Sequence, residues 1–239
     1  KKLNLNNNIK VVIPVHFAGM SADMVKLKKL SRKYSFSIIE DAAHALGAKY
    51  PDGSKIGNCK YSDMAVFSLH PVKSIAAGEG GIITTNSRKH YINLLKYRSH
   101  GINKLDNLFK NINLSKTGKL NNPWYYEMQD LGFNYRLTDF QSSLASSQLD
   151  KIKLFLNKRK SIVNYYDSKF KFFRNLKYCQ LSGREISSHH IYIVLINFAK
   201  IKISRAELMI KLRKFGIITQ VHYIPVPRHP YYQRINKKI

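Results

Sequence analysis

The chain has 239 residues, of which 44% are hydrophobic, and this length and composition predict a folded globular protein with one large or two small domains. Its 41 Lys and Arg residues outnumber 14 Asp and Glu residues, which gives a formal net charge of +27. Such a balance is typical of proteins that bind nucleic acid. Here, however, the positive residues are spread along the chain, and Asn, Ile and Tyr are abundant beside them. We therefore interpret the charge as a compositional bias and expect no nucleic-acid partner.

The two cysteines, Cys59 and Cys179, lie far apart and without CxxC or metal-ligand spacing, which argues against a disulfide framework and against a metal site. The sequence has no long apolar run and no signal-peptide pattern. We expect a cytoplasmic protein with no membrane partner. Because the first residue is Lys1 and not Met, we also expect a fragment.

The N-terminal part of the chain reads as a strand, a helix and a second strand. Residues 11–15 form an apolar run that predicts a buried strand. Ser21 is the expected N-cap of an amphipathic helix that continues to about Tyr34, and residues 36–39 predict the next strand. A βαβ unit implies parallel strands joined by a right-handed crossover.

Polar side chains follow both of these strands. His16 comes directly after the first strand, and Asp41 and His44 follow the second. In parallel α/β sheets, ligands bind beyond the carboxyl ends of the strands. The sequence therefore predicts a binding site that includes these three side chains.

A second pair of strands encloses a turn that carries a lysine. Apolar runs at residues 64–69 and 82–85 flank a segment with Ser68, Lys73 and the glycine-rich residues 78–81. A lysine held between a strand end and a glycine-rich turn can be desolvated and become nucleophilic. The alternative is a plain hairpin with an exposed lysine. Taken alone, this segment does not separate the two.

The rest of the chain alternates helices and strands. We predict a helix capped by Ser87, followed by a mobile surface segment at residues 101–122. A helix from Thr138, with Leu137, Phe140, Leu144 and Leu149 on one face, and a helix at residues 157–170 come next. Beyond them we predict a strand at residues 191–196, a helix at residues 204–215 that Gly216 ends, and a strand at residues 217–223.

Several motifs occur along the chain in the same order as in a known protein family. They are Glu40-Asp41-x2-His44-Ala45-x-Gly47, Ser68-x4-Lys73, Arg98-Ser99-His100-Gly101, Gly132-Phe133-Asn134-Tyr135-Arg136-Leu137 and His222-Tyr223-x-Pro225. Together they resemble the pyridoxal-phosphate aminotransferases of the DegT/StrS type, which aminate keto-sugars attached to nucleotides. The resemblance implies an α/β fold, the fold-type-I PLP-dependent transferase. Its large domain has a mostly parallel central sheet, and we expect part of it at residues 1–150 and part of the smaller C-terminal α/β domain at residues 151–239.

The resemblance also implies roles for individual residues. Lys73 corresponds to the Schiff-base lysine, and Asp41 to the carboxylate that keeps the pyridine nitrogen protonated. His44 corresponds to the side chain that bonds the phenolic oxygen of pyridoxal 5'-phosphate, and Ser68 to a phosphate ligand. Asn134 corresponds to a residue that reaches the phosphate in the neighbouring subunit, which implies a homodimer with shared active sites.

Four further side chains correspond to substrate-binding positions, although each is also compatible with a core or interface position: His16, His190, His222 and Tyr223. Arg136 corresponds to a side chain that binds an anionic group of the substrates, either the carboxylate of glutamate or the nucleotide phosphates. The implied reaction passes an amino group from L-glutamate to a nucleotide-linked 4-keto-6-deoxy sugar. We expect the family's Gly-Ser/Thr phosphate site and ring-stacking aromatic residue upstream of residue 1, and we expect the small domain to be cut short after Ile239. The alternative is therefore a catalytically incomplete PLP-fold protein that acts as a regulatory or basic nucleic-acid-binding module.

Overall fold

The computed structural model describes residues 9–178 and 183–235. Its strands are β1 (Val11–Val12), β2 (Ser37–Asp41), β3 (Met64–Ser68), β4 (Gly81–Thr84), β5 (Ile102–Asn103), β6 (Lys116–Thr117), β7 (Leu120–Asn121), β8 (Glu127–Met128), β9 (Leu176–Tyr178) and β10 (Val194–Ile196). Its helices are α1 (Met24–Tyr34), α2 (Arg88–Tyr97), α3 (Ile112–Ser115), α4 (Asp139–Leu149), α5 (Ile152–Phe170), α6 (Phe198–Ile201), α7 (Arg205–Lys214) and α8 (Pro230–Ile235).

The main sheet has the strand order β1-β2-β3-β4. β2 runs parallel to both β1 and β3, whereas β3 and β4 are antiparallel with Ser68 opposite Gly81. The predicted parallel strands, the α/β class and the strand-turn-strand segment around Lys73 are thus confirmed. As a result, β2 and β3 end at the same edge of the sheet.

The core lies on one face of β2 and β3. Ile38, Ala65 and Phe67 alternate along these strands with less buried residues, and Met24 of α1 packs against the same cluster. The predicted buried strand at residues 11–15 is wrong in this respect. β1 spans two residues at an edge of the described sheet, and Ile13 is 61% exposed.

Side-chain caps define the ends of most helices. Ser87 caps α2 as predicted, Thr138 opens α4 with a capping box, and Ser204 does the same for α7. The prediction of Ser21 as the cap of α1 is wrong, because its hydroxyl donates to the carbonyl of the next residue. The carboxylate of Asp23 accepts the N–H of the first turn instead.

Other predictions in the C-terminal half need correction. α5 begins five positions earlier than expected, and the face predicted for α4 is only partly buried, because Phe140 is 81% exposed while Ala145 is buried. Residues 101–122 carry four short elements, β5, α3, β6 and β7, together with the buried side chains of Asn103 and Ser115. The strand predicted at residues 217–223 is not formed: in this described stretch the backbone pairs with no strand, and Ile218 is 76% exposed.

The described residues divide into two compact units. The first comprises the described residues before Phe172 and those between Tyr178 and Ile193, and the second comprises Phe172–Lys177 and the described residues from Val194 onward. The first unit holds the main sheet and α1 to α5, and the second holds β10, most of β9 and α6 to α8. A domain boundary near residue 150 stays a prediction. Within the described parts of the chain, no helix is long and apolar enough to cross a bilayer.

Candidate active site

Asp41 is the last residue of β2, and its backbone is fixed on both sides. Its N–H donates to the carbonyl of Pro14 at 2.9 Å, and its carbonyl accepts the N–H of His16 at 3.0 Å. The half-buried carboxylate accepts the N–H of Ala43 at 3.1 Å. The strand end therefore presents Asp41 in a defined position, as the βαβ pattern predicted.

Ser68 ends β3 at the same edge. Asp41 lies opposite Val66 on β3, so Ser68 extends two residues beyond that pair. Its hydroxyl accepts the N–H of His70 at 3.3 Å and is half-buried. The structure thus brings the predicted carboxylate and hydroxyl to neighbouring strand ends.

Lys73 lies in a closed turn between β3 and β4. The N–H of Ala77 donates to the carbonyl of Leu69 at 3.0 Å, and the N–H of Leu69 donates to the carbonyl of Gly80 at 2.9 Å. Lys73 itself is half-buried, and its N–H donates to the carbonyl of His70 at 2.9 Å. The structure favours a constrained lysine over the exposed lysine of a plain hairpin.

The residue after Lys73 was not singled out in the sequence. Ser74 is only 7% exposed, and its hydroxyl has no hydrogen-bond partner among the described residues. A buried hydroxyl without a partner is uncommon in folded proteins and calls for a ligand or a specific role. The polarity of a serine between Lys73 and the buried Ile75 is the sequence signal that could have drawn attention to it.

The glycine-rich turn approaches the start of α4 closely. Gly80 has a φ of +133°, and a Cβ at this position would lie 2.6 Å from a methyl carbon of Leu137. The side-chain amide of Gln141 donates to the carbonyl of Glu79 at 3.1 Å. A larger residue in place of Gly80 would therefore strain the backbone and displace the Leu137 side chain.

His44 and His190 lie together, although 146 positions separate them in the sequence. Their ring centroids are 4.5 Å apart, and the ring of Phe17 lies 6.1 Å from that of His44. The contact depends on Ser188, whose hydroxyl donates to the carbonyl of His44 at 2.7 Å, and on the N–H of His190, which donates to the carbonyl of Ala18 at 3.0 Å. The structure thus joins a predicted cofactor residue and a predicted substrate residue at the ends of β1 and β2.

His16 is not placed to meet a substrate, and this prediction is corrected. The side chain is fully buried, and both ring nitrogens have protein partners. Nε2 lies 2.6 Å from a carboxylate oxygen of Glu40, and Nδ1 accepts the N–H of Ala22 at 3.0 Å. The core position that the sequence left open as an alternative is the one that the structure favours.

Glu40 is the centre of a polar cluster that the sequence analysis missed. Its buried carboxylate accepts hydrogen bonds from His16, from the hydroxyl of Tyr50 at 2.6 Å and from the hydroxyl of Ser62. Burial opposes the charge on Glu40, but these three bonds outweigh it and hold the pKa of Glu40 below its usual range. Burial and the neighbouring carboxylate raise the pKa of Tyr50.

Asn134 and Arg136 lie on the surface of the first unit. The side chains are exposed, and the Arg136 Nε–H donates to the amide oxygen of Asn134 at 3.2 Å. Their segment pairs with the end of α2 through backbone bonds, one of them from the N–H of Tyr135 to the carbonyl of Arg98 at 2.9 Å. The pairing requires glycine at 132, because a Cβ there would lie 2.1 Å from the backbone nitrogen of Gly101.

An open cleft beside α2 includes Arg136. Its lining contains six basic residues and no acidic one: Arg88, Lys89, Lys96, Lys104, Lys110 and Arg136. Of these, Lys96 already pairs with Asp130. The cleft is therefore suited to a negatively charged group.

His222 and Tyr223 belong to the second unit, where His222 is half-buried and Tyr223 is 62% exposed.

Of the two cysteines, Cys59 is buried as a free thiol, and Cys179 lies outside the described residues. Among residues 9–178 and 183–235, no group of three or more His, Cys, Asp or Glu side chains could hold a metal ion.

A carboxylate and a hydroxyl at the ends of two parallel strands, with a lysine in the turn that follows, are the arrangement expected of a PLP-dependent transferase. The residues present fit that cofactor chemically: the Lys73 amine could bind it covalently, the Asp41 carboxylate could face a ring nitrogen, and the hydroxyls of Ser68 and Ser74 could donate to an anion. The sequence pattern of the DegT/DnrJ/EryC1/StrS aminotransferase family matches residues 2–239. The chain belongs to this family, whose aminotransferases depend on PLP.

Individual relatives agree with this assignment. The chain is 35% identical over 236 residues to the UDP-4-amino-4,6-dideoxy-N-acetyl-beta-L-altrosamine transaminase of Campylobacter jejuni. The matched region covers 98% of this chain and 57% of that protein. The structure matches PseC of Helicobacter pylori, an aminotransferase involved in the biosynthesis of pseudoaminic acid, with a TM-score of 0.83, 30% identity, and coverage of 98% of this chain and 58% of that one. It also matches the PLP-form of the putative sugar aminotransferase Spr1654 from Streptococcus pneumoniae, with a TM-score of 0.78, 28% identity, and coverage of 97% and 59%. The chain thus spans somewhat more than half the length of these relatives.

Proposed function

We propose that the protein is a PLP-dependent aminotransferase that passes an amino group from L-glutamate to the keto carbon of a nucleotide-linked 4-keto-6-deoxy sugar. The observation that carries the proposal is that Asp41 ends β2 and Lys73 lies in the turn after the neighbouring strand β3, in a chain of the DegT family. The names of the Campylobacter jejuni and Helicobacter pylori relatives support a UDP-linked sugar and the pseudaminic acid pathway or a related surface-glycan pathway. We further propose that the reaction takes place in the cytoplasm.

Lys73 and Asp41 carry the chemistry in this proposal. When bound, the cofactor supplies an electron sink for the carbon that loses or gains the amino group. Lys73 holds the cofactor through its Nζ and, once released, moves a proton at that atom. The Asp41 carboxylate holds a proton on the pyridine nitrogen, because the negative charge stabilises the protonated ring.

Hydroxyls near the turn bind the cofactor phosphate. Ser68 donates from the end of β3, and the buried Ser74 hydroxyl provides a second donor beside Lys73. His44, three residues after Asp41, bonds the phenolic oxygen, and its contact with His190 keeps the ring in place.

The substrate's negative groups are bound by basic and polar side chains. Arg136 and the other basic residues of the cleft beside α2 would attract a carboxylate or a diphosphate. His190, which contacts His44, is placed to meet the substrate next to the cofactor. His222 and Tyr223, in the second unit, are assigned to substrate binding by the family resemblance alone.

We propose a homodimer in which Asn134 of one subunit completes the phosphate site of the other. The support is the exposure of Asn134 together with the apolar side chains around it, since Leu131, Tyr135 and Phe140 are 82%, 71% and 81% exposed. A cluster of exposed large apolar residues marks a surface that another chain covers.

Replacement of Lys73 tests the proposal. The parent protein should consume L-glutamate in the presence of a keto-sugar nucleotide, whereas Lys73→Ala should lose this turnover completely and should bind PLP without a covalent link. The measurement is the rate of 2-oxoglutarate formation at saturating PLP. Turnover at the parent rate in Lys73→Ala would refute the assignment. A parent protein that binds no PLP but binds DNA in a salt-dependent way would favour the regulatory alternative.

A further inference from the structure

Four buried polar side chains meet behind the strand end that carries Asp41. Glu40, His16 and Tyr50 are fully buried, and Ser62 is 7% exposed. They come from four separate parts of the chain, and three donors converge on the one carboxylate of Glu40. We call these four residues the Glu40 cluster.

The cluster contains a negative charge and no cation. The Ala22 N–H donates to Nδ1 of His16, so that nitrogen carries no proton, and the ring proton is on Nε2, which faces Glu40. His16 is thus the neutral tautomer, and the carboxylate is held by three uncharged donors. Replacing such a buried polar group with well-packed apolar residues is often neutral or stabilising. Stability alone is therefore a weak reason for the Glu40 cluster.

The Glu40 cluster is joined directly to Asp41. Glu40 and Asp41 are consecutive in β2, so their side chains point to opposite faces of the sheet, one into the core and the other toward the site. His16 binds both residues: its ring bonds the Glu40 carboxylate, and its backbone N–H donates to the Asp41 carbonyl at 3.0 Å. The loop after β1 is thereby fixed to the end of β2 at two points.

We propose that Glu40 and His16 are positioning residues for Asp41, which they hold in the orientation that bonds the cofactor's pyridine nitrogen. This inference rests on the proposed function. Among the described residues, the Asp41 carboxylate accepts one hydrogen bond, from the N–H of Ala43, and this bond orients the carboxylate only if the strand end is fixed. The Glu40 cluster fixes it from the opposite face, with Tyr50 and Ser62 holding Glu40 in turn.

The experiment compares four variants of the PLP-loaded protein. His16→Ala removes the ring that links the Glu40 cluster to the loop, and His16→Gln restores a donor toward Glu40. Asp41→Asn is the reference for a lost carboxylate. Ile38→Val is the matched control, because Ile38 is fully buried on the same face of the same strand and has no part in the cluster.

The readout is the NMR resonance of PLP labelled with a heavy isotope at the pyridine nitrogen, which shifts when that nitrogen loses its proton. We expect His16→Ala to shift this resonance in the same direction as Asp41→Asn does. We also expect His16→Ala to weaken PLP binding by about tenfold, the lower end of the cost of removing a hydrogen-bond partner of a metal ligand. His16→Gln should return the resonance most of the way to the parent position. Ile38→Val should lower the melting temperature of the apo-protein and leave the resonance unchanged.

A His16→Ala protein that loses stability as Ile38→Val does, while its resonance stays at the parent position, would overturn the inference. If His16→Ala does not fold, Tyr50→Phe removes one hydroxyl from the Glu40 cluster with the smallest change in volume. We expect the same shift of the resonance in Tyr50→Phe, and an unshifted resonance would contradict the inference. Failure of the proposed function is distinct, because then Asp41→Asn itself would not move the resonance or the parent would bind no PLP.

Discussion

The strand ends around Asp41 and the segment around Asn134 are built in opposite ways. At the strand ends the polar groups are tied to neighbouring backbone, and the Glu40 cluster lies buried behind them. Around Asn134 the backbone is equally fixed, but the side chains point outward, and Tyr135 is 71% exposed. The first region has the character of a site within one chain. The second has the character of a surface that acts on another chain.

We therefore assign the proposed chemistry to the strand ends around Asp41 and the proposed dimer contact to the segment around Asn134. Asp41 ends β2, and Lys73 lies in the turn after the neighbouring strand β3, so both belong to one subunit. The exposed Asn134 contributes to the proposed phosphate site only if a second copy of the chain lies against it. Variants in the two regions should therefore fail in different ways.

The largest effect in the first region after loss of Lys73 is expected from Asp41→Asn. The amide cannot stabilise the protonated ring, so turnover should slow by several powers of ten, on the order of 4 kcal/mol or more in activation free energy, while PLP still binds. Single-turnover kinetics with L-glutamate would measure it. A near-normal rate would remove Asp41 from the mechanism and leave the strand ends with no special role.

In the second region, Asn134→Asp places a negative charge where the proposed phosphate contact lies, and PLP binding should weaken in every homodimer. Mixing sharpens the comparison. Lys73→Ala and Asn134→Asp homodimers should both be inactive, whereas heterodimers of the two should regain one intact site. The measurement is activity after co-expression with two different affinity tags. Heterodimers that assemble and stay inactive, or a fully active monomer, would contradict a shared site.

A smaller effect is expected behind the strand ends, in the stability of the apo-protein. The pKa of Glu40 is lowered in the folded state, so its contribution is present above the unfolded pKa of about 4.3 and is lost as the pH falls through the folded value. Glu40→Gln should be less stable than the parent at pH ~7, and the deficit should shrink below pH ~4 by about 1.4 kcal/mol for each unit of pKa depression. Urea unfolding at several pH values would measure it. A deficit that is independent of pH would show that Glu40 is not ionised in the fold.

The strand ends were largely predictable from the sequence, because their signals are local. Short apolar runs predicted β2 and β3, and the polar residues at the ends of these strands follow the runs directly. The caps of α2 and α7 were likewise readable from Ser87 and Ser204.

What the sequence did not reveal depends on contacts between distant residues. The partners of Glu40 lie 24, 10 and 22 positions away, and no local pattern joins them. Ile38 and Glu40 share the buried face of β2, and that period of two is the one clue that Glu40 points into the core. The strand predicted at residues 217–223 is wrong for a related reason. An apolar run forms a strand only where another strand pairs with it, and the run itself does not show whether a partner is present.

The segment at residues 101–122 shows the same limit. Its composition predicted a surface loop, but the Glu127 carboxylate accepts the N–H groups of Lys110 and Asn111 at 2.8 Å and 2.7 Å and ties the segment to β8. These bonds, with that from Gln129, hold the pKa of Glu127 at about 2, against the opposing effect of desolvation. Whether the segment is mobile stays a prediction.

The central claim is that Lys73 holds the cofactor, and the most direct measurement locates the cofactor on the chain. The PLP-loaded protein is reduced with borohydride, digested and mapped by mass spectrometry. We predict a single pyridoxyl group on the peptide that contains Lys73, although the chain has 30 lysines, and no modification in Lys73→Ala. A pyridoxyl group on another lysine, or equal labelling of the parent and Lys73→Ala, would contradict the account.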